Sequence, residues 1–296
     1  MTALTGAPVV VGIDGSPRSL DAVEVAAAEA ALRARPLRIV HALQWPTIPV
    51  PVTPGVTPPR DGALRARAET FLDEAVRAAT KAAPEVTVTA EIVTGAPVPV
   101  LLGETRRADL LVLGDRGLGQ FTGLLVGSVA VQAATHGHCP VLVVRGTAHP
   151  SGPVVVGVDG SEVSTRAIGF AAEEATRRGA ALVAVHAWHT PPVTMPGDMM
   201  PLVYDPDLLA AMEERVLLQA IAGLRERYPD LALHHEMASG PAGRVLTERS
   251  HDAQLIVVGD RGHGGFVGLL LGSVSQHLIY HADCPVAVVR GEHDRD

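Results

Sequence analysis

One feature constrains this chain more than any other: much of it occurs twice. Val9-Val10-Val11-Gly12-Ile13-Asp14-Gly15-Ser16 returns as Val154-Val155-Val156-Gly157-Val158-Asp159-Gly160-Ser161. Val40-His41-Ala42 returns as Val185-His186-Ala187, and Gly114-Asp115-Arg116-Gly117 as Gly259-Asp260-Arg261-Gly262. Cys139-Pro140-Val141 returns as Cys284-Pro285-Val286. Every copy lies 145 positions after its original. That period is the size of a domain, well above the roughly 20–50 residues of a solenoid repeat. The 296 residues are enough for about two domains of roughly 150 residues each. We read residues 1–146 and 153–296 as the two domains, joined by a short turn-rich stretch.

Within the first copy, apolar runs of strand length alternate with helical patterns. Strands are expected at 9–13, 37–43, 86–93, 110–113 and 141–144, and helices at about 17–35, 62–83, 97–107 and 128–136. Ser16-Pro17 supplies an N-cap with proline at the first helical position. The proline-rich stretches at 46–59 and 191–206 read as long surface loops. The second copy has the same plan. Hydrophobic residues make up 47% of the chain but aromatics only 3%, which suits Val- and Leu-rich strands buried between Ala-rich helices. The expected fold is therefore α/β: two tandem, doubly wound, five-stranded parallel sheets of order 3-2-1-4-5. That order puts the first and fourth strands side by side at a topological switch point, where open α/β sheets bind ligands.

Several function classes are disfavoured. A net charge of −8 argues against nucleic acid or an anionic membrane as the main partner. Apolar runs stop far short of the ~18 residues of a membrane span, and no signal peptide is visible, so the cytoplasm is the expected location. Cys139 and Cys284 form no disulfide framework, and each precedes a strand, where packing is a better reading than redox sensing. The thirteen histidines show no His-Glu-x-x-His or Cys/His ligand spacing and read as surface or capping residues.

The chemistry concentrates after the fourth strand. Gly114-x-x-Gly117 is followed by nine residues and Gly127-Ser128; Gly259-x-x-Gly262 is followed by nine residues and Gly272-Ser273. Glycines let a ligand approach the backbone without a Cβ in the way. The Gly-Ser pair opens a helix whose unpaired N–H groups and positive dipole end suit phosphate oxygens. Ser128 and Ser273 add hydroxyls. The competing reading is of turn glycines with no ligand, and two copies in register weigh against it. Asp14 and Asp159 either cap the following helix with Ser16 and Ser161 or face the ligand. Arg116 and Arg261 either reach phosphate or are solvated.

These motifs resemble the universal stress protein family, whose ATP-binding members carry G-x2-G-x9-G-[ST]. The opening Val-Gly-Ile/Val-Asp-Gly-Ser and the closing Cys-Pro-Val-x-Val-Val-Arg are also family-like, so the resemblance covers each copy from end to end. It implies a Rossmann-like fold of the adenine nucleotide alpha hydrolase type, with ATP or a related nucleotide in each domain. Gly12, Asp14, Ala42, Gly114, Arg116, Gly117, Gly127, Ser128 and Val129 would line the first site. Gly157, Asp159, Ala187, Gly259, Arg261, Gly262, Gly272, Ser273, Val274 and Ser275 would line the second. Asp14 and Asp159 would stand near a phosphate-bound Mg²⁺. The family often has a hydroxyl two residues beyond the Gly-Ser serine. Ser275 supplies it in the second copy and Ala130 stands there in the first, so the first site is expected to hold phosphate less well.

The resemblance implies a regulatory nucleotide-binding protein of the stress response, with slow ATP hydrolysis at most. No Walker lysine motif or evident general base is present. Alternatives are an adenine-nucleotide-using enzyme of the same fold and a ligand-free interaction scaffold. Family members commonly pair through the final strand. The expectation here is an intrachain pseudo-dimer through 141–144 and 286–289, and a homodimer of whole chains.

Overall fold

A computed structural model describes residues 6–44, 61–117, 126–188, 205–262 and 271–291. The chain divides into two compact units, Met1–Val144 and Arg145–Asp296.

Unit 1 runs β1 (Val9–Ile13), α1 (Pro17–Leu32), β2 (Leu37–Leu43), α2 (Asp61–Ala82), β3 (Val88–Thr94), α3 (Pro97–Thr105), β4 (Leu110–Gly114), α4 (Ser128–His136) and β5 (Val141–Val144). All its strand pairs are parallel, in the order β3-β2-β1-β4-β5. Four of the five residues of β4 and all five of β1 are buried, as a strand covered on both faces requires. Helices α1 and α2 pack together, as do α3 and α4. Beneath them the core is built of Val, Leu and Ile from the strands and Ala22, Ala26, Ala27 and Ala30 from α1. Alanine at those positions lets helix and sheet approach closely.

Unit 2 repeats the plan with β6 (Val154–Val158), α5 (Glu162–Arg178), β7 (Leu182–Trp188), α6 (Pro206–Ala220), α7 (Leu224–Arg227), β8 (Leu233–Ser239), α8 (Ala242–Ser250), β9 (Leu255–Gly259), α9 (Ser273–His281) and β10 (Val286–Val289). Its parallel order is β8-β7-β6-β9-β10. Both units thus have the expected 3-2-1-4-5 order.

Three local details differ from the sequence expectation. The third strand begins at Val88, not at 86, because Val86 N–H donates to Ala83 O and closes a turn. Unit 2 splits its second helix: α6 ends at Ala220 with Ile221 as its C-cap, and Gly223 at φ 79 is the N-cap of the short α7, whereas α2 is continuous. Helix α1 stops at Leu32, short of the expected 35, because Ala34 turns left-handed at φ 50 and Arg35 N–H returns to Ala30 O. The proline-rich stretches lie almost wholly outside the described residues.

That left-handed position carries a prediction. Unit 2 has Gly179 there at φ 60, with the same return bond from Ala180 N–H to Ala175 O. A Cβ is unfavourable in this conformation. Ala34→Gly is therefore expected to stabilise unit 1 by about 0.5–1 kcal/mol, read as a higher urea midpoint at unchanged slope.

Both cysteines are packed. Burial pushes the Cys139 and Cys284 thiols up to about 12. Since the thiolate is the reactive form, neither thiol is expected to react with a disulfide reagent at pH 8 in the native chain. Both should titrate once the chain is unfolded.

Candidate functional site

The site is assembled at the carboxyl ends of β1 and β4. Gly15 takes φ 85 directly after Asp14, and the Asp14 carboxylate turns back so that Oδ1 accepts from Ser16 N–H at 3.0 Å. Ser16 in turn caps α1, its hydroxyl oxygen accepting from Ser19 N–H at 3.2 Å. The other carboxylate oxygen, Oδ2, points at the loop after β4. A Cβ on Gly117 would fall inside contact distance of it. In unit 2, Asp159 Oδ1 accepts from Ser161 N–H at 3.0 Å, and Oδ2 lies in the same way against Gly262. The aspartate therefore makes the turn bond to the helix start and also faces the glycine loop.

The two halves of the glycine motif meet. Gly127 N–H donates to Asp115 O at 2.7 Å, and Gly272 N–H to Asp260 O at 2.7 Å. These bonds close the base of the nine-residue insertion. They bring Gly127 beside Gly117, whose backbone nitrogen would lie 3.9 Å from a Cβ on Gly127. Gly127 and Gly272 are the N-caps of α4 and α9, and neither has a side chain to cap with. The helices that open after β1 and β6 are capped by serines. At the switch point of each unit, one helix start is thus capped by its own serine, and the other has no side-chain cap among the described residues. A Cβ on Gly127 would meet only ordinary contacts, the nearest at 3.6 Å to Asp115 O, so the fold itself does not require glycine there. Ser128 and Ser273 are exposed at the first helical position, and Val129 and Val274 are half-buried at the second.

Register places the adenine-side residues. Ile13 pairs with His41 and Val158 with His186, so Ala42 and Ala187 stand beside Asp14 and Asp159 at the strand ends. Both alanines are half-buried. The preceding histidines hold the strand ends together, His41 Nδ1 bonding to Ile13 O at 3.0 Å and His186 Nδ1 to Val158 O at 2.7 Å. In unit 2 a cleft of about 550 Å³ opens beside Asp159 and Gly160, with Thr165, Glu213 and Val216 on its walls.

Other expected site residues owe their identity to packing. A Cβ on Gly12 would meet Leu113 at 2.8 Å and Leu101 at 2.9 Å; one on Gly157 would meet Leu246 at 2.9 Å. Both glycines admit an apolar side chain against the strand. Gly114 lets β4 approach Arg18 O, where a Cβ would come to 2.8 Å, and Gly259 makes room for Val163.

Ser275 requires a correction. Its side chain is 1% exposed, and its hydroxyl donates within the protein, to Gly272 O at 2.9 Å and Asp260 O at 3.2 Å. It braces the turn instead of reaching toward phosphate. Ala130 occupies the same enclosed position in unit 1 at 2% exposure. The inequality of the two sites expected from this pair therefore loses its ground.

Asp115 and Asp260 were not singled out from sequence, although the repeated Gly-Asp-Arg-Gly contained them. They are 4% and 0% exposed, directly beneath the loop. Asp115 lies 3.8 Å from Arg18 Nε and 3.7 Å from Arg116 Nε. Asp260 lies 3.4 Å from Arg290 Nε and 3.7 Å from Arg261 Nε. Arg116 and Arg261 are thus loosely anchored from below, with side chains 55% and 42% exposed above the glycine loop.

Each unit is thus a parallel α/β fold that brings a glycine loop, an uncapped helix start and a strand-end carboxylate together, and the chain makes that arrangement twice. Comparison with known proteins gives the family. The universal stress protein family matches residues 7–145 and 151–290. The universal stress protein Rv2623 of Mycobacterium tuberculosis is 40% identical over 293 residues, covering 95% of this chain and 96% of that protein. Universal stress protein Rv2005c of the same organism is 38% identical over 294 residues, covering 95% and 96%. The crystal structure of a universal stress protein from Archaeoglobus fulgidus shares the fold at TM-score 0.69 and 19% identity, covering 98% of both chains. The chain belongs to the universal stress protein family. No helix among the described residues is long and apolar enough to cross a membrane.

Proposed function

We propose that each unit binds one adenine nucleotide, ATP in the first instance, and that the protein acts as a regulatory nucleotide sensor or sequesterer in the stress response, with slow hydrolysis at most. The observation that carries this reading is the meeting of Gly117, Gly127 and Asp14 at the start of α4, repeated by Gly262, Gly272 and Asp159 at α9. Phosphates would lie over the Gly-Ser turn, taking the N–H groups at the helix start and the Ser128 or Ser273 hydroxyl. Arg116 and Arg261 are long enough and exposed enough to close on them. Ribose and base would extend along Gly117 or Gly262 toward Ala42 or Ala187.

The residues present also fit Mg²⁺. Asp14 and Asp159 each offer one hard carboxylate oxygen toward the loop, and Mg²⁺ bound to phosphates needs only one or two such ligands beside water. The ion would supply neutralisation of phosphate charge. The carboxylate would orient that charge, and the serine-capped turn behind it would keep the carboxylate in place.

The test is a thermal melt with and without ATP·Mg²⁺. Ligand at about 100 times its dissociation constant adds roughly 2.7 kcal/mol, which for a unit of this size is a rise of about 5–10 °C. No shift at millimolar ATP·Mg²⁺ would remove the reading. The assembly proposed is a homodimer of whole chains in the cytoplasm; the mass of a single chain by light scattering at micromolar concentration would contradict the dimer.

A further inference from the structure

We propose that His277 and His281 form a two-imidazole site for a borderline first-row divalent cation such as Zn²⁺, Ni²⁺ or Cu²⁺. The two residues stand four apart on α9, in its last turn and a half, so their side chains share one face. Their ring centroids are 4.5 Å apart with planes inclined by 42°. No complete ligand motif is present in the sequence, but His277 and His281 share the i, i+4 helical spacing at which two histidines can hold one ion, and imidazole suits zinc, nickel and copper.

The protein makes room for this pair. Gly243 on α8 lies against the His277 ring, where a Cβ would come to 2.9 Å from Cδ2 and 3.0 Å from Cγ. Unit 1 has neither the ring nor the gap: the corresponding positions are Gln132 and Val98, while His136 corresponds to His281. Gly243 leaves the space in which the His277 imidazole is seated, and the His281 ring lies beside it. His277 is half-buried and His281 is exposed, so the pair is open to a solvated ion. Among the described residues no group of three or more His, Cys, Asp or Glu is placed to hold a metal ion. Water therefore completes the shell, and the site is one for reversible binding, unlike a closed structural zinc site. A cation here sits at the carboxyl end of α9, where it complements the helix dipole. The other end of the same helix is the Gly272-Ser273 turn.

Calorimetric titration of Zn²⁺ into the chelator-treated full chain should show a binding step that His277→Gln and His281→Asn each weaken at least tenfold. Gly243→Val, which crowds the ring without altering either ligand, should weaken it as well. His149→Gln, at an exposed histidine elsewhere, should leave it unchanged. On the unaltered chain, substoichiometric Ni²⁺ should broaden the ring resonances of His277 and His281 before those of any other histidine. A titration unchanged by both single variants, no binding step in the unaltered chain, or broadening confined to other histidines would each overturn the proposal.

Discussion

Gly262→Ala is expected to weaken nucleotide binding in unit 2 at least tenfold, about 1.4 kcal/mol, and Gly117→Ala to do the same in unit 1. The added methyl would fall inside contact distance of Asp159 Oδ2 and within 3.3 Å of its Cγ; in unit 1 it would lie 3.2 Å from Asp14 Cγ. Either the loop lifts or the carboxylate swings away from Ser161 N–H or Ser16 N–H. Both movements disturb the point where phosphate, Mg²⁺ and aspartate would meet. Calorimetry on each single variant should show one weakened site and one intact site. Gly103→Ala is the control. Gly103 lies in α3 with nothing within 4 Å of a new Cβ, so binding should be unchanged, with stability raised by up to about 1 kcal/mol. Unchanged affinity in both loop variants would detach the glycine motif from ligand binding.

Glu174→Ala is expected to destabilise unit 2 by about 3 kcal/mol. The Glu174 carboxylate is 1% exposed and accepts from Arg177 Nη1 at 2.7 Å and Arg178 Nη2 at 2.8 Å. Removing it strands two guanidinium groups at the edge of the core, and breaking a buried pair from one side costs about 3–5 kcal/mol. The lower figure applies because the Arg177 and Arg178 side chains, 29% and 14% exposed, can move toward water. Arg177 also keeps Glu173 at 3.1 Å. For a unit of this size the expected fall in melting temperature is roughly 6–12 °C. Adding Arg178→Met should recover part of the loss, because the double change leaves less uncompensated charge. A fall below 2 °C would mean that water already screens the group.

The topology could be read before any coordinates because parallel burial leaves a plain signature. Val9–Ile13 and Leu110–Leu113 are apolar without interruption, and a repeat in register supplied the check that one copy lacks. The Gly-x-x-Gly and Gly-Ser elements could be found for the same reason. Side-chain direction was harder to read. Ser275 lies one residue beyond a half-buried valine on α9, and only the rotation of that helix turns its hydroxyl inward. Ala130 at the same place was a clue, since a position that takes Ser or Ala is small and enclosed. The burial of Asp115 and Asp260 leaves no signal in the sequence, because the arginines that enclose them, Arg18 and Arg290, are distant in the chain. Gly12 and Gly157 looked like ligand-side glycines because they sit in the motif. Their missing Cβ is instead the space filled by Leu101 and Leu246, contacts that join a strand to a helix some 90 residues later.

The central claim is two adenine-nucleotide sites at the starts of α4 and α9. Equilibrium dialysis of ATP·Mg²⁺ against the unaltered chain and the Gly117→Ala/Gly262→Ala double variant, both confirmed folded by circular dichroism, tests it most directly. The prediction is about two nucleotides bound per unaltered chain and a loss of nearly all binding in the double variant at the same ligand concentration. No binding to the unaltered chain, or equal binding by both proteins, would contradict it.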